Sequence, residues 1–344
     1  MNIQQLFGIE LPIIQAPMAG VQASAMAIAV SNAGGLGSLP CAMLTPEGVK
    51  AELEAIVAAT SQPYNLNFFC HTPPTPDAAR EARWRKALAP YYAELGIDPQ
   101  GVPAGAGRAP FSHAIADLVE PFKPRVVSFH FGLPDPSLLQ RVKAWGGKVL
   151  SSATTVAEAR WLEAHGADAI IAQGLEAGGH RGIFLTDDLS TQLGTMALLP
   201  QVVRAVRVPV IAAGGMADAQ GVRAALALGA AGVQIGTSYM LCPEATTTAL
   251  HRAALKSPRA EHTVLTNLIT GRPARGMLNR VMKELGPLSE EPPAFPLATA
   301  ALAPLKAAAE KLGRDDFSTL WSGQDATGCR EIPAAELTRQ LAGL

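Results

Sequence analysis

The residues best placed to do chemistry lie in DAIIAQGLEAGGHRG, from Asp168 to Gly182. His180 titrates near neutrality, so it can take or give a proton at physiological pH. Gln173 and Glu176 add polar side chains, and Gly178 and Gly179 permit unusual backbone angles or the close approach of a ligand. The apolar run Ala169 to Ala172 has the pattern of a strand buried on both faces, so these groups would sit in the loop at a strand end. An ordinary glycine turn carrying a surface histidine has the same composition, and this loop alone does not separate the two.

Other candidate residues follow other short apolar runs. AAGG ends in Gly214 and Gly215, and GVQIGT supplies Gln234, Ile235, Gly236 and Thr237. Glycine turns after strands expose backbone N–H groups that can surround a phosphate, and Thr237 would add a hydroxyl. That suits a mononucleotide such as FMN, although glycines also serve plain strand-to-helix turns. Asn67 and Gln173 are amides, able to donate and accept along the edge of a flavin ring or simply to tie down a loop. Pro17 and Met18 offer an apolar ledge for a flat ring, with core filling as the plainer role of methionine. Ser152 and His130 also follow strand candidates. His130, flanked by aromatic residues, suits either a substrate contact or packing. Lys148 begins its strand, at the opposite face, and is a poor candidate for stabilising a flavin. The remaining histidines, His71, His113, His165, His251 and His262, lack a paired carboxylate or metal-ligand spacing. They are expected to be structural or exposed, and no metal site is expected.

Positioning these groups requires strands that all end on one face. Strand patterns at 12–15, 36–39, 64–69, 125–129, 148–151, 168–172, 209–212 and 232–235 alternate with helical ones. Eight such alternations predict a (β/α)8 TIM barrel, an α/β fold, with a smaller mainly helical cap domain. The rival doubly wound sheet usually carries a GxGxxG loop, which is absent here. The expected division is a barrel over 1–254, interrupted by a lid at 71–124, and a cap segment over 255–344 that returns to the barrel.

Composition is consistent with a compact fold. The 344 residues are 48% hydrophobic and 17% charged with a formal net charge of −1, so neither a disordered chain nor a nucleic-acid partner is indicated. No stretch reads as a membrane span or secretory signal, and four scattered cysteines give no disulfide framework. A cytoplasmic location is expected.

With these residues in place, the chain resembles the flavin-dependent nitronate monooxygenases, formerly called 2-nitropropane dioxygenases, in their bacterial and fungal class. The likeness is carried in order by QAPMAG at 15–20, NLNFF at 65–69, SFHFGLP at 128–134, the long run at 151–182, AAGGM at 212–216, GVQIGT at 232–237 and LTNLITGRPARGMLNR at 265–280. The resemblance implies noncovalent FMN at the open end of the barrel, with contacts matching Asn67, Gln173, Gly178, Gly215 and residues 234–237. It implies that His180 positions the substrate and acts as base toward a neutral nitroalkane, a step that a nitronate anion does not need. It also implies oxidation of a nitronate with oxygen to a carbonyl compound and nitrite. The terminal WSGQDATGCRE departs from the family pattern at Asp325 and Cys329, so that loop is given no flavin contact. Two alternatives remain at this level: an FMN-dependent NAD(P)H:quinone or enoyl-thioester reductase on the same barrel, and a non-catalytic FMN-binding sensor.

Overall fold

The computed structural model describes residues 2–98, 101–102 and 108–344. Its strands are β1 (Ile13–Gln15), β2 (Gly37–Pro40), β3 (Tyr64–Phe69), β4 (Val126–His130), β5 (Lys148–Ala153), β6 (Ala169–Gln173), β7 (Gly179–His180), β8 (Val210–Ala213), β9 (Gly232–Ile235), β10 (Thr263–Thr266) and β11 (Ala274–Met277). All except β7, β10 and β11 form one parallel sheet in the order β1-β9-β8-β6-β5-β4-β3-β2. A parallel bridge between Ile14 and Leu36 closes it into a barrel. β1, β2, β3, β6 and β8 are buried at every position, and β6 and β8 accordingly read as near-continuous apolar runs, while β1, β2 and β3 also bury Gln15, Ser38, Asn65 and Asn67.

Helices cover the outside, and their starts follow local chemistry. Thr45 accepts from Gly48 N with Pro46 in the first turn of Pro46–Ala59, and Asp218 accepts from Gly221 N at the start of Ala219–Ala227. The helix between β7 and β8 starts at Thr195. Glu176, reaching in from the loop after β6, accepts from Thr195 N (2.8 Å) and Thr195 Oγ1 (2.9 Å) and fixes that start. The short helix Ile3–Phe7 closes the floor of the barrel, packing Ile3 and Phe7 with Ile14, Leu150, Ile171 and Ile211.

The eighth helix of the outer ring is the last helix of the chain. After β9 the chain leaves the barrel for almost a hundred residues. It then returns as Ala334–Leu341, which packs between helices Ser24–Asn32 and Ala219–Ala227. Leu337 and Leu341 join Met26, Val30, Val222 and Ala225 in one core.

The segment expected as a single lid divides between two cores. Helix Ala78–Glu94 packs on helix Ala298–Lys311 through Trp84, Leu88, Leu302 and Leu305, and Trp84 Nε1 donates to Ala298 O (3.3 Å). Helix His113–Val119 packs instead on the barrel wall, where Phe111, Ala116 and Val119 meet Val49, Leu53 and Ile56. β10 and β11 form an antiparallel hairpin, and β11 pairs with β7 by placing Ala274 opposite His180. This small sheet joins the chain after β9 to the loop after β6. Among the described residues, no helix is long and apolar enough to cross a membrane.

Candidate active site

The C-terminal ends of the barrel strands open into a cavity of about 270 Å³, and every candidate residue singled out above lines it. β1 and its loop contribute Pro17 and Met18, while β3 contributes Asn67. His130 and Ser152 belong to β4 and β5, Gln173 to β6, and Gly178 and His180 to the loop beyond it. Gly214, Gly215, Gln234, Ile235, Gly236 and Thr237 complete the opposite side.

The position of His180 is over-determined. Its carbonyl accepts from Gln173 Nε2 (2.9 Å) and from His130 Nε2 (3.1 Å). A carbonyl only accepts, so His130 carries its proton on Nε2, and its Nδ1 accepts from Ser152 Oγ (3.1 Å). Both ring nitrogens of His130 are therefore engaged within the protein. A direct substrate contact, one of its two expected roles, would have to break one of these bonds. Gln173 is likewise engaged, because its Oε1 accepts from Gly182 N (2.7 Å). Arg181, fully buried, donates to Gly174 O and Gln173 O (both 2.7 Å) and to Gln192 Oε1 (2.9 Å), which pins the loop on both sides of His180.

The imidazole of His180 faces a wall of rings. Its centre lies 5.3 Å from Phe295, 5.7 Å from Trp321, 6.0 Å from Phe131 and 6.1 Å from Phe69. Desolvation here pushes its pKa well below the usual histidine value, and the nearby Arg108 guanidinium adds to the effect. His130 is pushed down to about 4, again mainly by desolvation. Both rings are neutral at pH 7. His180 Nε2 stands 2.9 Å from Thr270 Oγ1, and that hydroxyl is 3.4 Å from Arg272 O.

The far side of the cavity has the character of a cradle. Gly214 and Gly215 have φ of 106° and 73°, and a Cβ on Gly236 would stand 3.3 Å from Met18 Sδ. Thr237 Oγ1 accepts from Gly323 N (2.9 Å), which leaves its own proton for a ligand. Gln234 Oε1 is buried with no hydrogen-bond partner among the described residues, and Asn67 Nδ2 donates to Ser128 Oγ (2.9 Å). Small backbone turns at one end, a hydroxyl, and an orphaned amide oxygen midway fit a phosphate-bearing flavin. Among the described residues, no three His, Cys, Asp or Glu side chains are grouped to hold a metal.

Several lining residues were not candidates in the sequence. The terminal loop, given no flavin contact above, places Trp321, Ser322, Gly323 and Asp325 on the cavity, and Gln324 N donates to Glu176 O (2.9 Å). Arg108 and Lys306 enter from the cap side, and His251, expected to be structural or exposed, is buried and lines the cavity. None of these follows a barrel strand, so the strand-end argument does not reach them. Thr270 and Arg272 lie in the TGRPARG stretch, whose pairing with the loop of His180 becomes visible only once β11 meets β7.

Fold and cavity together define a TIM barrel whose glycine-lined cavity sits at the face where such barrels carry their active sites. The chain belongs to the nitronate monooxygenase family, whose model matches residues 2–343. It is 44% identical over 342 residues to a nitronate monooxygenase of Pseudomonas aeruginosa, covering 98% of this chain and 97% of that one. It is equally 44% identical over 343 residues to a nitronate monooxygenase of Paraburkholderia phytofirmans, covering 98% and 92%. Among solved structures it is similar to a nitroalkane oxidase of Streptomyces ansochromogenes, with a TM-score of 0.89, 38% identity and coverage of 99% of this chain and 96% of that one.

Proposed function

We propose that this protein is an FMN-dependent enzyme that oxidises alkyl nitronates with dioxygen to a carbonyl compound and nitrite. Two nitronates and one dioxygen balance two carbonyl products and two nitrites. The observation that carries the reading is the neutral, desolvated His180 on the wall of a cavity whose other side is a glycine-lined cradle. Bound FMN supplies the electron transfer between nitronate and dioxygen.

In this reading Gly214, Gly215, Gly236 and Thr237 hold the phosphate. Pro17 and Met18 support the ring, and Asn67, Gln173, Gly178, Gln234 and Ile235 surround it, with Ser152 acting through its bond to His130. Thr270 Oγ1, 2.9 Å from His180 Nε2, takes the accepting part in this reading, which leaves Nδ1 as the accepting nitrogen of His180. His180 then takes the α-proton of a neutral nitroalkane, and it only orients a nitronate that arrives already deprotonated. The ring wall keeps water from this side of the substrate. The four free cysteines suit a reducing, cytoplasmic compartment.

The test is a single protein sample in two assays. With a short alkyl nitronate in air it consumes oxygen and releases nitrite without added nicotinamide. If it instead yields no nitrite from several nitronates while oxidising a reduced nicotinamide with a quinone or enoyl thioester, the reaction is that of a reductase. A protein with neither turnover is a sensor. Denaturation releases FMN and not FAD.

A further inference from the structure

Arg108 reaches the cavity from the segment inserted after β3. Its guanidinium carbon is 5.6 Å from the centre of the Phe295 ring, and that ring is 5.3 Å from the imidazole of His180. The carboxylates of the cavity are already engaged elsewhere. Glu176 accepts from Thr195, Glu310 accepts from Ser318 Oγ (2.6 Å), and Asp325 accepts from Thr327 Oγ1 (2.6 Å). Desolvation lowers the pKa of Arg108, and no carboxylate acts to raise it. The charged and titratable groups that act on His180 are Arg108, Arg272, His130 and His71, with no acid among them. The end of the cavity next to His180 is therefore electropositive.

A partly buried guanidinium facing a cavity whose carboxylates are engaged elsewhere is poorly compensated until an anion meets it. Its planar fork matches anions with two coplanar oxygens. A nitronate is such an anion, and its two oxygens share a full negative charge, whereas a neutral nitroalkane presents the same planar pair of oxygens with no net charge. We propose that Arg108 is the anion subsite of this cavity, gripping the two nitronate oxygens beside His180 and selecting nitronate over neutral nitroalkane. The substrate part of this inference rests on the reaction proposed above. The binding of a planar oxyanion does not.

The experiment therefore separates binding from turnover. Nitrate, a planar oxyanion with no oxidisable carbon, is titrated into the FMN-loaded protein and followed by flavin absorbance and tryptophan fluorescence. Saturable binding is expected in the native protein, and Arg108→Gln should weaken it by about 10- to 100-fold, the usual effect of losing a charged hydrogen bond. KM for ethyl nitronate should rise by about the same factor, while KM for nitroethane stays within about two-fold. Arg108→Lys keeps the charge without the fork and should recover part of both losses. If Arg108→Gln holds FMN yet binds nitrate and ethyl nitronate like the native protein, the subsite is refuted. Equal rises in KM for nitroethane and ethyl nitronate also refute it, since they make Arg108 a shape element, whereas a lower kcat on nitroethane is expected because proton removal creates the charge that Arg108 meets. Should Arg108→Gln fail to hold FMN, Arg108→Lys decides by its preference for the anion, which must persist. Nitrate binding that depends on Arg108 in a protein that makes no nitrite leaves the subsite standing and removes the reaction.

Discussion

In the proposed reaction His180 serves as the base, and its surroundings keep its imidazole unprotonated. Desolvation holds its pKa well below the usual value of 6.5, so the active form is present throughout the neutral range. For a neutral nitroalkane, kcat/KM should therefore stay flat as pH falls to 6.5 and decline only below it. A decline centred at or above 6.5 would mean that the protein does not shift this group. His180→Asn should lower the rate on nitroethane by about 10²–10⁴-fold and the rate on preformed nitronate far less. Equal losses would make the residue a binding group instead. The role of Thr270 is separable, because its hydroxyl meets the imidazole and the Arg272 carbonyl and is not among the groups placed around the flavin. Thr270→Val should lower kcat on nitroethane with little change in KM, and Thr270→Ser should restore it, since only the hydroxyl fixes the proton on Nε2. A valine variant with native kcat would show that the tautomer is set elsewhere. His180 was legible in the sequence because its residue type and its place after an apolar run already limit what it can do. Thr270 was not, because a threonine ninety residues away has no chemistry of its own until it is placed 2.9 Å from an imidazole.

Among the elements, the strands and their glycine turns were legible for the same reason: burial on both faces writes itself into short apolar runs, such as AIIA in β6 and VIAA in β8. Elements placed by distant partners were not. Helix Ala334–Leu341 takes the eighth outer position although nearly a hundred residues separate it from β9, and no local pattern states which groove a helix fills. Its contribution can be measured. Leu337→Ala removes a buried side chain from a core shared with Met26 and Val222, and should cost about 2–5 kcal/mol in urea unfolding. A loss under about 1 kcal/mol would show that the helix can detach without opening the barrel. The contact of the terminal loop with Gly178 was hidden in the same way. A Cβ on Gly178 would stand 2.5 Å from Gly323 N and 2.6 Å from Ser322 C, both backbone atoms with little room to yield. Gly178→Ala should therefore push that loop off Thr237 and Glu176 and raise the FMN dissociation constant. Unchanged FMN affinity in a folded variant would separate the terminal loop from the cofactor.

For the molecule as a whole, the cavity and the ring wall beside it collect neutral histidines at a cost that depends on pH. His130 and His251 are pushed down to about 4, His71 is lowered and His180 is lowered further, each chiefly by desolvation. An unfolded chain takes up protons on all of them near the ordinary value of about 6.5, so in that range the unfolded state binds more protons than the folded one. Stability from these groups is then complete above about pH 6.5 and is lost as pH falls toward 4. The exposed carboxylates with lowered pKa, such as Glu94 and Glu331, act in the same direction only below about pH 4.5, where unfolded carboxylates begin to protonate. The interval between these limits thus belongs to the histidines. Urea midpoints measured with excess FMN should drop steeply between pH 7 and pH 5, and His251→Gln should remove part of that drop by deleting one of the titrating groups. The native protein having equal midpoints at both values would mean that these imidazoles ionise inside the fold, and the neutral base assigned to His180 would lose its electrostatic foundation.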